Sequence, residues 1–271
     1  RYYGIPYSND MWPGNSKGHR HTKEPYTPLP VVSQNKPVAY VADAHDQALL
    51  AETFTDEAVE WIEENRKSPF FCYIPHAYVH FPRYARKQHF ERAEGAVHRS
   101  TTEEVDDSVG RVLETLRRLN LDKNTLVIFT SDNGGVGSPE AMGPLRGNKG
   151  GPKYEGHQRE PMVVWWPGTI PAGSESDELT MSIDFLPSLA KLVGGGIQVV
   201  PVGQGARSIP ELLDQLLHAH HPHVHPGHLE AVASHPLQGL LDVESLHQQI
   251  GHGVERAPGG ERELLLLAVP A

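Results

Sequence analysis

The sequence predicts an α/β domain with a mixed, mostly parallel central sheet flanked by helices. Two successions of helix, short link and apolar strand predict it: Ala48–Asn65 followed by Ser68–Pro75, and the helix beginning at Ser100 followed by Thr125–Ser131. A third apolar run, Pro161–Trp166, stops at Pro167-Gly168, a turn dipeptide that ends a strand. The 271 residues are enough to bury a substantial core.

In chain order, Arg1–Met11 holds too many Gly, Pro, Asn and Asp for a regular element and reads as loop. The chain stays polar and proline-rich to about Lys36, with Leu29-Pro30-Val31-Val32 a short edge strand at most. From Ala48 to Asn65, Phe54, Ala58 and Ile62 recur at helical spacing, and Asp56 and Glu57 suit the positive end of the helix dipole. Ser68–Pro75 reads as a buried strand, and Pro69 ends the helix before it. Ser100 with Glu103 and Thr101 with Glu104 are overlapping capping boxes. The helix they open carries Val105, Val109, Val112, Leu113, Leu116 and Leu119 on one stripe. Asp106 and Asp107 are expected to complement the helix start or to pair with Arg99. Farther on, Phe185, Leu189 and Leu192 predict a core-facing helix with no catalytic role.

The formal net charge of -10 argues against a nucleic-acid partner. A single cysteine, Cys72, excludes an internal disulfide framework. No run of about 18 apolar residues is present, so no membrane span is expected.

The strand Thr125–Ser131 is β-branched, aromatic and apolar, as a strand buried on both faces is, and it gives way to Asp132-Asn133-Gly134-Gly135. In open α/β sheets ligands collect beyond the carboxyl ends of strands. A carboxylate beside an amide carbonyl offers hard oxygen donors, suited to Ca²⁺ or Mg²⁺. Taken alone, the four residues read equally as a turn. Beyond the turn lie Gly143-Pro144-Leu145-Arg146-Gly147-Asn148-Lys149-Gly150-Gly151 and Tyr154-Glu155-Gly156-His157-Gln158-Arg159-Glu160-Pro161. Two histidines, His76 and His80, follow the Ser68–Pro75 strand in Pro75-His76-Ala77-Tyr78-Val79-His80-Phe81-Pro82. Taken along the chain from Tyr2 to about Gly195, these stretches resemble the sulfatase family, of the arylsulfatase type, in the family's own order.

The resemblance implies the alkaline-phosphatase-like fold and hydrolysis of a small-molecule or carbohydrate sulfate ester. It implies Ca²⁺, with Mg²⁺ the weaker alternative, and a formylglycine made from Cys/Ser-x-Pro-x-Arg. It makes Asp132 and Asn133 metal ligands and Lys149 a cation on the sulfate. His80 becomes a contact to the sulfate or the leaving oxygen, with His76 the weaker candidate. This chain carries one residue more than the family spacing between Lys149 and Glu155, which leaves Lys153 as a second sulfate candidate. Glu155 and Arg159 are expected to fix the loop through a charge-assisted pair.

The nucleophile motif and the family's early aspartate pair are missing from this sequence, and Cys72 lies in mid-strand, where it cannot serve as the nucleophile. The opening stretch Tyr3-Gly4-Ile5-Pro6-Tyr7-Ser8-Asn9-Asp10 resembles an interior part of the family's catalytic domain. The expectation is therefore an internal portion, 1–196, that does not turn over alone, from a secreted, periplasmic or lysosomal enzyme. Residues 197–271, His/Pro/Gly-rich, match no family pattern and are expected to pack poorly and add no chemistry. The alternatives are a phosphate or phosphonate ester hydrolase of the same superfamily and a non-catalytic remnant.

Overall fold

The computed structural model describes residues 1–13, 26–136, 143–151 and 153–194, together with the backbone of two later strands, Ala231–Ser234 and Glu263–Val269. The boundary expected at residue 196, and nearly all of the segment after it, lie outside the described residues. The chain divides into two compact units: Arg1–Lys67 with Cys72–Asn120 and Leu267–Ala271, and Ser68–Phe71 with Leu121–Leu266.

The first unit opens with a three-stranded antiparallel sheet, β1 (Tyr3–Gly4), β2 (Leu29–Ser33) and β3 (Lys36–Val41), in the order β1-β2-β3. This corrects three expectations: Tyr3–Gly4, within the stretch read as loop, is a short strand, β2 is the middle strand rather than an edge, and the polar stretch near Lys36 is a strand. Pro30 is tolerated because β1 pairs only with Val32 and Ser33, leaving Pro30 one ladder partner, Tyr40. Helix α1 (Ala44–Ala48) is capped by Asp43, whose side chain accepts from the Asp46 N–H. After α1, α2 (Leu50–Asn65) turns Leu50 and Phe54 onto Trp12, Leu29, Val31 and Val41. Tyr3 meets Phe54 edge to face, the ring centroids 6.2 Å apart.

In β4 (Phe71–Pro75) only alternate residues, Cys72 and Ile74, are buried, so this strand has one covered face rather than two. Burial pushes the Cys72 thiol up to about 12, so it stays protonated and inert. Helix α3 (Lys87–Arg92) leads to α4 (Val97–Arg118). The latter begins a turn earlier than the capping boxes suggest. The Ser100 and Thr101 hydroxyls bond back to the Val97 carbonyl inside the helix instead of capping it. Asp107 pairs with Arg92 at 3.1 Å, and Arg99 with Glu103, in place of the expected Arg99–Asp pair.

The apolar stripe of α4 is as expected, with Val105, Val112 and Leu116 buried, but polar residues complete it. Ser108 Oγ lies 2.5 Å from Thr55 Oγ1 of α2 and 3.2 Å from His76 Nε2. His76 is 2% exposed, and burial pushes it down to about 4, so it stays neutral in the core.

In the second unit, β5 (Thr125–Ser131) is covered on both faces, as its composition predicts. It pairs antiparallel with β6 (Glu160–Trp165), in register Val127↔Trp165 to Thr130↔Met162, and β6 pairs antiparallel with β7 (Ala231–Ser234). Both ladders are antiparallel, within a fold of mixed α/β content. Leu126, Ile128, Met162, Trp166, Phe185 and Leu189 make one core, where each large apolar side chain contributes roughly 2 kcal/mol. Phe185 and Leu189 come from α5 (Phe185–Leu192), the core-facing helix read from the sequence. Gly194, at φ 82°, ends it by donating to the Lys191 carbonyl.

Candidate functional site

Where β5 ends, Asp132 is exposed and Asn133 is 9% exposed. The two glycines after them let a second loop approach closely. Gly134 N–H donates to the His157 carbonyl at 3.0 Å, and Lys149 N–H donates to the Gly135 carbonyl at 3.0 Å. A Cβ on Gly134 would stand 2.0 Å from the Gly156 carbonyl oxygen, and one on Gly156 would stand 2.6 Å from the Gly147 carbonyl oxygen. Gly147 itself sits at φ +90°, with Tyr154 over the place of its missing side chain. Gly156 N–H donates to the Arg146 carbonyl at 2.9 Å, and the Arg146 guanidinium lies 4.0 Å above the Tyr154 ring. The glycine pattern thus brings the Lys149 loop to the edge that carries Asp132 and Asn133.

Lys149 is half-buried and Lys153 is exposed. The expected side-chain pair between Glu155 and Arg159 is not among the ion pairs of the described residues. Both side chains are exposed, and Arg159 N–H donates to the Glu155 carbonyl at 2.8 Å, so a backbone turn fixes this corner.

Asn133 Oδ1 is buried and meets no hydrogen-bond donor among the described residues. An acceptor left so costs roughly 1–3 kcal/mol unless a cation or donor satisfies it. Two residues beyond Thr130↔Met162 in the same register stand Asp132 and Glu160. Burial, and then the Asp132 charge, push the Glu160 carboxyl up to about 7. This edge is therefore electronegative and built of oxygen donors, which fits a hard divalent cation. Among the described residues no group of three or more His, Cys, Asp or Glu side chains gathers as a metal cluster.

The first unit holds His80. Asn9 is 3% exposed, and its Nδ2 donates to the carbonyls of His80 and Pro82. Its Oδ1 is therefore the atom 2.9 Å from His80 Nδ1, and that ring nitrogen carries the proton. Gln47 steadies the same corner, donating to the Pro82 carbonyl and accepting from Trp12 Nε1. Sequence reasoning missed Asn9, which reads as one more loop residue, and Glu160, whose place opposite Asp132 depends on register.

A family model described as Sulfatase matches residues 4–195. N-acetylgalactosamine-6-sulfatase of Mus musculus is 36% identical over 157 residues, covering 55% of this chain and 30% of its own length. Steryl-sulfatase of Rattus norvegicus is 32% identical over 200 residues, covering 69% of this chain and 34% of its own length. Among solved structures, the PsFucS1 sulfatase from Pseudoalteromonas sp. superposes with a TM-score of 0.61 at 23% identity. The match covers 73% of this chain and 44% of that one, and it speaks for the fold alone. The chain thus spans about a third of the length of the curated relatives it matches.

Proposed function

Because the chain belongs to the sulfatase family, we propose that its residues serve the hydrolysis of a small-molecule or carbohydrate sulfate ester. Asp132 and Asn133 hold a divalent cation, calcium before magnesium, through hard oxygen donors. The observation that carries this is the buried Asn133 Oδ1, which has no donor among the described residues and stands beside the exposed Asp132 carboxylate. When bound, the cation would neutralise sulfate charge and orient the attacking oxygen.

This chain's own residues do the rest. Lys149 sets a compact positive charge against the sulfate oxygens, from a loop tied to the edge that holds the cation. Lys153, exposed and with no comparable tie among the described residues, is the second choice. His80, held by Asn9 with its proton on Nδ1, contacts the sulfate or the leaving oxygen through its other nitrogen. The formylglycine that the resemblance implies has no counterpart motif in this sequence, so no step is assigned to it. A secreted, periplasmic or lysosomal setting is part of this reading. No helix among the described residues is long and apolar enough to cross a membrane.

Isothermal titration of this chain with inorganic sulfate in the presence of calcium tests the reading. The expected result is saturable binding that Lys149→Ala weakens by at least about tenfold, the size of one lost hydrogen bond to a charged group. Inorganic phosphate should bind less tightly, and no aryl sulfate should be hydrolysed by the chain alone. An unchanged affinity in Lys149→Ala, or a preference for phosphate, would overturn the assignment.

A further inference from the structure

His157 occupies a position that the family resemblance leaves unspecified, between Gly156 and Gln158. Its carbonyl accepts the Gly134 N–H at 3.0 Å, one residue after Asn133. Its ring nitrogen Nδ1 accepts the Gly150 N–H at 2.9 Å, one residue after Lys149. A backbone N–H only donates, so Nδ1 in this bond is the unprotonated nitrogen. One residue therefore grips both segments of the candidate site, the first through its main chain and the second through its imidazole.

Gly150 lies at φ +86° with no atom within 4 Å of where a Cβ would stand. Packing does not fix its backbone, which makes the hydrogen bond to His157 an important restraint on this side of Lys149. Among the described residues the turn is also restrained by the Lys149 N–H bond to Gly135 and the Gly151 N–H bond to the Asn148 carbonyl. The Gly135 bond sets the height of the loop over the edge, and the His157 ring fixes the direction in which the chain leaves Lys149.

We infer that His157 is a positioning residue of the sulfate site, its imidazole holding the Lys149 loop in place over the Asp132–Asn133 edge. This rests on the reading of Lys149 as the sulfate cation.

The test is amide hydrogen exchange, read residue by residue by NMR, on the wild-type chain, His157→Leu and His157→Asn. Asparagine carries an oxygen about where Nδ1 stands and can accept the same bond. In His157→Leu the Gly150 amide should exchange about tenfold faster, while Gly134, bonded to the main chain of residue 157, keeps its protection. Affinity for inorganic sulfate should fall about tenfold in the same variant, with calcium affinity unchanged, and His157→Asn should restore both Gly150 protection and sulfate affinity. Nitrogen–proton correlations of the wild-type ring should show Nδ1 bare and Nε2 protonated, a readout that does not depend on either variant folding. Unchanged Gly150 protection in His157→Leu, sulfate affinity that survives its loss, or the opposite tautomer would overturn the inference. If the wild-type chain binds no sulfate, the reading of Lys149 falls, while the exchange data still decide whether His157 restrains the loop.

Discussion

Gly134→Ala should destabilise the second unit by about 3 kcal/mol, at the upper end of the usual cost of overpacking. The added methyl would stand 2.0 Å from the Gly156 carbonyl oxygen, which is main chain and cannot rotate away. Any shift that relieves the clash pulls on the bond from Gly134 N–H to His157 and on the one from Gly156 N–H to Arg146. Gly150→Ala is the control. It also loses a glycine from the site, at φ +86°, but meets no atom within 4 Å, so only backbone strain of about 1 kcal/mol is expected. Denaturant unfolding followed by exchange of β5 amides compares the two. A Gly134→Ala protein no less stable than Gly150→Ala would mean that the loops do not interlock as described.

Arg86→Met should cost about 3–5 kcal/mol, the price of stripping the partner from a buried charge. The Glu104 side chain is fully buried and Arg86 Nε lies 2.7 Å from its Oε1, while the guanidinium also reaches Glu52 and His89 Nε2. Burial raises the Glu104 carboxyl and Arg86 pulls it back down. Without Arg86 the folded-state value climbs further above that of the unfolded chain. As pH rises, the unfolded form then releases its proton first, and stability falls until pH has passed the raised value. Below the ordinary carboxylate range both forms are protonated and this part of the penalty vanishes. His89, held low by burial and then by Arg86, shifts the balance the same way, because without Arg86 the folded protein accepts its proton more readily in acid. The loss should therefore be larger at pH 8 than at pH 5. Equal losses at the two pH values would show that Glu104 is not the group left uncompensated.

The parts of this protein that could be read from its sequence are those governed by local rules. The strand at Thr125–Ser131 and the helices at Leu50–Asn65 and Phe185–Leu192 follow from periodicity, whereas the place of Lys149 beside the Asp132–Asn133 edge rests in the sequence on the family resemblance alone. What could not be read depends on partners far along the chain. Glu160 faces Asp132 only through the β5–β6 register, and Asn9 meets His80 across 71 positions. Strand β3 was hidden because Lys36-Pro37-Val38-Ala39-Tyr40 shows no apolar alternation and all five residues are exposed. The start of α4 was misplaced because Ser100 and Thr101 satisfy the capping pattern while lying a turn inside the helix. At the Glu155–Arg159 corner, charge complementarity suggested an ion pair where the backbone already supplies the bond.

Calcium titration of the wild-type chain and of Asp132→Ala, read by calorimetry, addresses the proposal most directly. If Asp132 and Asn133 grip the cation, the wild-type chain binds calcium at a single saturable site, and losing one carboxylate weakens it by at least about tenfold. Equal affinity in the two proteins, or no saturable binding by the wild-type chain, would contradict the assignment of this strand end as the metal site.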